Sequence, residues 1–117
     1  MQRRPEQKPH GGLWEFPGGK VESTEMPVKA LVRELHEELG IVVREEGCTP
    51  VAFAETAAEG DRPAIVILLY IVRAWEGTPR SLEGGRIDWF TPAAIDRLDK
   101  PPLDRELARH LFASGHV

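Results

Sequence analysis

The sequence predicts an α/β fold, helices packed on a mixed sheet, in one domain covering residues 1–117. Three observations carry this. Residues 27–39, PVKALVRELHEEL, set Val28, Leu31, Val32, Leu35 and Leu39 along one stripe at helical spacing. Residues 64–75, AIVILLYIVRAW, are β-branched, aromatic and apolar on successive positions, the pattern of a strand buried on both faces. Around these two, short strand and helix signals alternate irregularly, with no repeat and no linker long enough to separate domains.

Taken in order, residues 1–12 are polar and rich in Pro, Gly and basic side chains, and read as a loop. Residues 13–16 read as a short strand, stopped by Pro17, Gly18 and Gly19. Pro27 suits the first position of a helix and Gly40 the residue just past its end. Met26 stands where Ser or Thr would cap that helix, forgoing a hydrogen bond worth about 1 kcal/mol. Residues 41–44 and 51–55 are candidate strands, and Gly77-Thr78-Pro79 ends the apolar strand at 64–75. Residues 87–90 form another short strand, 92–98 a short helix, and 103–113 a last helix after Pro101-Pro102.

Composition narrows the function. A hydrophobic share of 41% with 29% charged residues is that of a soluble globular protein. Cys48, the single cysteine, excludes an internal disulfide and suits a reducing cytoplasm, where it reads as a bystander. No charged-then-apolar leader opens the chain, and the apolar run at 65–72 is too short to cross a bilayer. A net charge of −4 argues against a nucleic-acid polymer as partner. It leaves room for a phosphorylated small molecule, provided a divalent cation supplies positive charge.

The informative stretch is residues 19–41, GKVESTEMPVKALVRELHEELGI. Glu34, Glu37 and Glu38 stand at i, i+3 and i+4, so their carboxylates share one helix edge away from the apolar stripe. Taken alone, such a trio is more often a solvated acidic face than a site. As a site, it would suit Mg²⁺ or Mn²⁺, hard cations that take carboxylate and phosphate oxygens together. The surroundings favour the site: Arg33 adjoins the trio, and a Gly-Gly turn and Glu25 lie upstream.

Gly19-x5-Glu25-x7-Arg33-Glu34-Leu35-x-Glu37-Glu38-x-Gly40-Ile41 resembles the Nudix box at every defined position. The preceding Gly12-Leu13-Trp14-Glu15-Phe16-Pro17-Gly18-Gly19 resembles the MutT-like branch of that superfamily, and weaker likeness runs through Trp75-Glu76-Gly77, Trp89 and Pro101-Pro102-x-Asp104. The resemblance implies a Nudix α/β/α sandwich and Mg²⁺-dependent hydrolysis of a nucleoside triphosphate to monophosphate and pyrophosphate. It implies Glu34, Glu37 and Glu38 as metal ligands with the Gly18 carbonyl, and Arg33 holding a glutamate through a bidentate ion pair. Glu25 would act behind them; Leu35 and Ile41 would pack, and Gly19 and Gly40 would serve backbone geometry. The general base is left open among Glu37, Glu38 and the loop residue Glu83, which is equally well an exposed turn residue. Arg4 and Lys20 would grip phosphates, surface charge being the plainer reading of Lys20; His10 and His36 read as solvated.

Phe16 and Trp14 would flank a nucleobase, or be core. Asp104 occupies the position of an asparagine in the branch's name-giving enzyme. An amide both donates and accepts, whereas an ionised carboxylate only accepts. That leaves 8-oxo-dGTP as first substrate and CTP, dCTP or a 5-modified dCTP as second; Asp104 also suits an N-cap of the last helix. A non-catalytic nucleotide-binding module is a further alternative. MutT-like chains carry roughly 20 more residues, about two strands, ahead of the segment that opens here. Their lack would expose sheet edges, so a monomer or homodimer is expected, the dimer favoured if the start is truly short.

Overall fold

The computed structural model describes residues 1–7 and 11–116; His10 lies outside them. Its strands and helices run β1 (Gln2–Arg3), β2 (Trp14–Glu15), α1 (Pro27–Leu39), β3 (Cys48–Thr56), β4 (Ile65–Val72), β5 (Arg86–Ile87), α2 (Pro92–Arg97) and α3 (Pro102–Ala113), with a 3₁₀ turn at Glu45–Gly47 before β3.

Helix α1 has the predicted limits. Met26 offers no side-chain cap, as expected, and the start rests on Pro27 and on the Met26 carbonyl, which accepts the Ala30 N–H at 3.0 Å. Gly40 ends it at φ 71°, its N–H bonded to the His36 carbonyl, a left-handed turn that glycine adopts without strain. The apolar stripe buries Leu35 and Leu39 against Ile41 and Val43, with Ile87 and Val72 packed around them. Helix α3 makes a second core: Leu107, fully buried, and Leu111 press on Ala54 and Leu69, with Phe16 and Leu103 alongside. Burying a leucine of this kind contributes roughly 1.5–3 kcal/mol.

The α/β class holds, but the strands do not form one mixed sheet. Among the described residues every pairing is antiparallel, in a three-stranded sheet ordered β2-β1-β5 and a β3-β4 ribbon. The irregularity in β3 falls between Pro50 and Ala52, where proline has no N–H to give the ladder. Residues 1–12 are not all loop, because Gln2 and Arg3 pair on both sides. Residues 41–44 make one isolated bridge, Val42 to Glu76, in place of a strand.

The strand at 64–75 is shorter than expected and is not buried on both faces. Ile65, Val66 and Leu68 are about half exposed while Leu69 is buried. The reason is its place: among the described residues β4 has one hydrogen-bonded neighbour, β3, so one edge stays open. No described helix is long and apolar enough to cross a membrane.

Candidate active site

The acidic edge of α1 meets the turn at residues 17–20. Glu38 is buried, and one of its carboxylate oxygens, Oε2, accepts the Gly18 N–H at 2.9 Å. Gly19 lies so close to Glu34 that a β-carbon there would sit 2.2 Å from the Glu34 carboxyl carbon. Glycine at 19 thus lets the Glu34 carboxylate approach the turn, a place that a β-carbon would make it leave.

Arg33 organises the other acids. Its guanidinium grips Glu25 with two nitrogens, Nε at 3.3 Å and Nη2 at 2.7 Å. Nη1 donates to Glu34 at 2.8 Å and to Glu37 at 3.4 Å, and Nη2 also reaches the Lys20 carbonyl at 3.0 Å. The planar fork makes this hub possible; a lysine ammonium has no equivalent of the paired grip. Hydrogen bonds and charge from Arg33 hold the Glu25 carboxyl below its ordinary pKa.

The loop after β4 closes over the helix end. The Leu39 carbonyl accepts the Arg80 N–H and the Glu38 carbonyl the Leu82 N–H, each at 3.0 Å, which carries Glu83 toward Glu38. Burial pushes the Glu38 carboxyl up to about 7, against the lowering effect of the Gly18 N–H, and Glu34, Glu83 and Glu15 add repulsion. Glu83 is thus an electrostatic neighbour of the site.

The remaining expected residues fall at different distances from this centre. Arg4 binds the Glu15 carboxylate at 2.7 Å, so it joins the site through Glu15. Phe16 packs in the α3 core. Asp104 is buried and its Oδ2 accepts the Phe16 N–H at 2.9 Å. It is not the N-cap of α3, a place held by Pro101; it sits inside the first turn, facing β2. Burial raises its carboxyl above the ordinary value and Glu15 adds to this, while the Phe16 N–H and Arg4 oppose it. Lys20 is exposed, as is His36. Glu15 is the residue that sequence reasoning missed. It lies within the LWEFPGG stretch, and the structure makes it the link between Arg4, Glu38 and Asp104.

The donor set is all oxygen, and its crowding of carboxylates is the chemistry a hard divalent cation relieves. In the form described, no three acidic or imidazole groups converge on one point among the described residues. Glu34 and Glu37 lean to Arg33 and Glu38 to Gly18, and these three carboxylates are the ones that would hold the cation.

Comparison with known proteins places this arrangement. A NUDIX domain model matches residues 1–111, and the chain belongs to that family, as a MutT-like Nudix hydrolase acting on diphosphate bonds. It is 35% identical over 102 residues to the 8-oxo-dGTP diphosphatase of Haemophilus influenzae, spanning 87% of this chain and 72% of that one. It is 34% identical over 113 residues to the CTP pyrophosphohydrolase of Escherichia coli, spanning 97% and 81%. Among solved structures, the solution structure of the Escherichia coli ORF135 protein superposes with a TM-score of 0.81 at 34% identity, covering 96% of this chain and 77% of that one.

Proposed function

We propose that this hydrolase cuts a nucleoside or deoxynucleoside triphosphate to the monophosphate and pyrophosphate with Mg²⁺ or Mn²⁺, 8-oxo-dGTP being its first substrate. The observation that carries the reading is the wrap of Gly18 and Gly19 around the carboxylates of Glu34 and Glu38. When bound, the cation would supply charge screening of the phosphate oxygens and of the leaving nucleoside monophosphate. The residues of the chain do the rest. Glu34, Glu37 and Glu38 hold that charge at the phosphate chain. Arg33 positions Glu34 and Glu37 and is itself fixed by Glu25. A carboxylate among Glu37, Glu38 and Glu83 accepts the proton of the water that attacks the β-phosphorus, and oxygen transfer to phosphorus expels the nucleoside monophosphate. Arg4 and Lys20 are assigned to the phosphates, Arg4 acting from its ion pair with Glu15.

Base choice is assigned to Asp104 beside Phe16. A carboxylate keeps acceptor capacity after taking the Phe16 N–H, and an acceptor suits the N7–H of 8-oxoguanine. A raised pKa also brings nearer the protonated form, which donates as an amide does. The acceptor equally suits the amino group of cytosine, and this supports the second reading, CTP, dCTP or a 5-modified dCTP.

The test is pyrophosphate release with Mg²⁺ from 8-oxo-dGTP, dGTP, CTP and dCTP in parallel. Preference for 8-oxo-dGTP is expected. Preference for a cytosine nucleotide replaces the first reading by the second, and no phosphate product from any of them with folded protein removes both.

A further inference from the structure

The three-stranded sheet carries a cluster that the hydrolase site does not use. In its register Arg3 stands opposite Trp14 on one side and opposite Arg86 on the other. Residues directly opposite in antiparallel strands share a face, so these three side chains form one row. The adjacent row, Glu15, Gln2 and Ile87, points the other way: Ile87 packs on the α1 core and Glu15 acts on Glu38. The arginine row therefore projects from the face turned away from α1. Arg97, Leu98 and Asp99 at the end of α2 close it off, and with Gly12 they line an open cavity of about 350 Å³.

The row breaks a rule of sheet pairing. Like charges directly opposite one another repel, and Arg3 and Arg86 are such a pair. Among the described residues their partners are few. The Arg86 guanidinium lies 5.8 Å above the Trp14 ring. Arg3 donates from Nε to the Gly12 carbonyl at 3.1 Å and from Nη2 to the exposed Glu6 carboxylate at 3.3 Å. Three arginines line the cavity, and Asp99 is the one acidic residue among the described lining residues, in a chain whose net charge is −4. The walls are fixed to each other, because the Trp14 N–H donates to the Asp99 carbonyl at 2.8 Å and Trp14 meets Phe90 edge-on at 5.0 Å.

We propose that this cavity is a second anion site, in which Arg3, Arg86 and Arg97 take a phosphate group on the far side of the sheet from the glutamate edge. Guanidinium forks match phosphate oxygens, and a bound phosphate removes the repulsion within the row. The shared chemistry is a phosphate, free as pyrophosphate or carried on a nucleoside monophosphate. The proposal stands apart from the hydrolase reading.

The test uses the metal-free protein at constant ionic strength, titrated with pyrophosphate and, separately, with GMP. Heteronuclear NMR follows the Trp14 indole N–H and the Arg86 Nε–H against the amides of Gly18 and Gly19. Saturable shifts at Trp14 and Arg86 are expected while Gly18 and Gly19 stay still. The double variant Arg86→Gln with Arg97→Gln should weaken binding at least tenfold, and Arg86→Lys with Arg97→Lys, which keeps the charge, should weaken it less. Tighter binding of pyrophosphate identifies the free anion as ligand, and tighter binding of GMP the nucleotide. Shifts that do not saturate, that survive in both double variants, or that are confined to Gly18 and Gly19 overturn the proposal.

Discussion

Two groups of like charges lie on opposite sides of one small sheet, and the chain treats them differently. On the α1 side, Glu25, Glu34 and Glu37 share the guanidinium of Arg33, while Glu38 leans on the Gly18 N–H. On the far side, Arg3 and Arg86 face each other with an aromatic ring, one carbonyl and an exposed glutamate for company. The acidic cluster has an internal counter-charge in Arg33. The basic row, whose counter-charge is one exposed glutamate on Arg3, keeps a repulsion between Arg3 and Arg86 that an anion would relieve. The lesson is that a charged constellation is read from its partners, not from its count.

The largest expected break in this comparison is Glu37→Gln. Half-exposed and held only loosely by Arg33, Glu37 contributes to the site more than to the fold. Turnover should fall by on the order of 10³ or more with circular dichroism unchanged; near-normal pyrophosphate release would remove the metal assignment. Next comes Gly19→Ala. Its β-carbon has no room beside the Glu34 carboxylate, so that side chain must leave its place. Activity should drop about 10- to 100-fold, as for losses of a ligand's support, with Glu34→Gln adding little further in the double variant.

Arg33→Lys keeps the charge but loses the two-nitrogen grip on Glu25. Mg²⁺ affinity by calorimetry should weaken roughly tenfold, and unchanged affinity would argue that Arg33 serves only the fold.

Glu38 gives a smaller effect with a definite sign. Its carboxyl titrates near 7 in the fold against 4.5 as the ordinary value. The unfolded chain thus loses its proton first as pH rises, so the metal-free fold loses stability between about pH 4.5 and 7 and no more above. Glu38→Gln, free of this loss, should be more stable than the natural protein at pH 8 by about 1–3 kcal/mol, the gap closing near pH 4.5. Urea denaturation at the two pH values checks it; a natural protein that is the more stable at pH 8 would mean a carboxylate held ionised. Smallest is Arg86→Gln, which removes one half of the repelling pair and should raise stability by about a few tenths of a kcal/mol in phosphate-free buffer. Added pyrophosphate should erase that advantage in a thermal melt, by stabilising the natural protein alone.

Much of the acidic side is legible in the sequence. The trio on α1, Arg33 beside it, Pro27 and Gly40 at the ends are statements about neighbours along the chain, and helical geometry converts spacing directly into position. The strands are less so. Residues 64–75 read as buried on both sides because apolar runs do so in covered sheets, yet Ile65, Val66 and Leu68 lie half exposed at an edge. Gln2 and Arg3 read as loop because two residues are too few to show a period. Asp104 looks like a cap from its place near Pro101, and its actual partner, the Phe16 N–H, is 88 residues away.

The sequence by itself determined the family, the helix at 27–39 with its three carboxylates along one edge, and the glycine that ends it at 40, since each follows from local spacing or from a match of motif. Only the tertiary structure decided that Glu15 joins Arg4 to the acids, that the Gly18 N–H meets Glu38 and that Arg3 stands across from Arg86. The physical reason is register. Which residues face one another across strands is set by packing over the whole fold, and a shift of one position in β1 would turn Arg3 to the other side of the sheet.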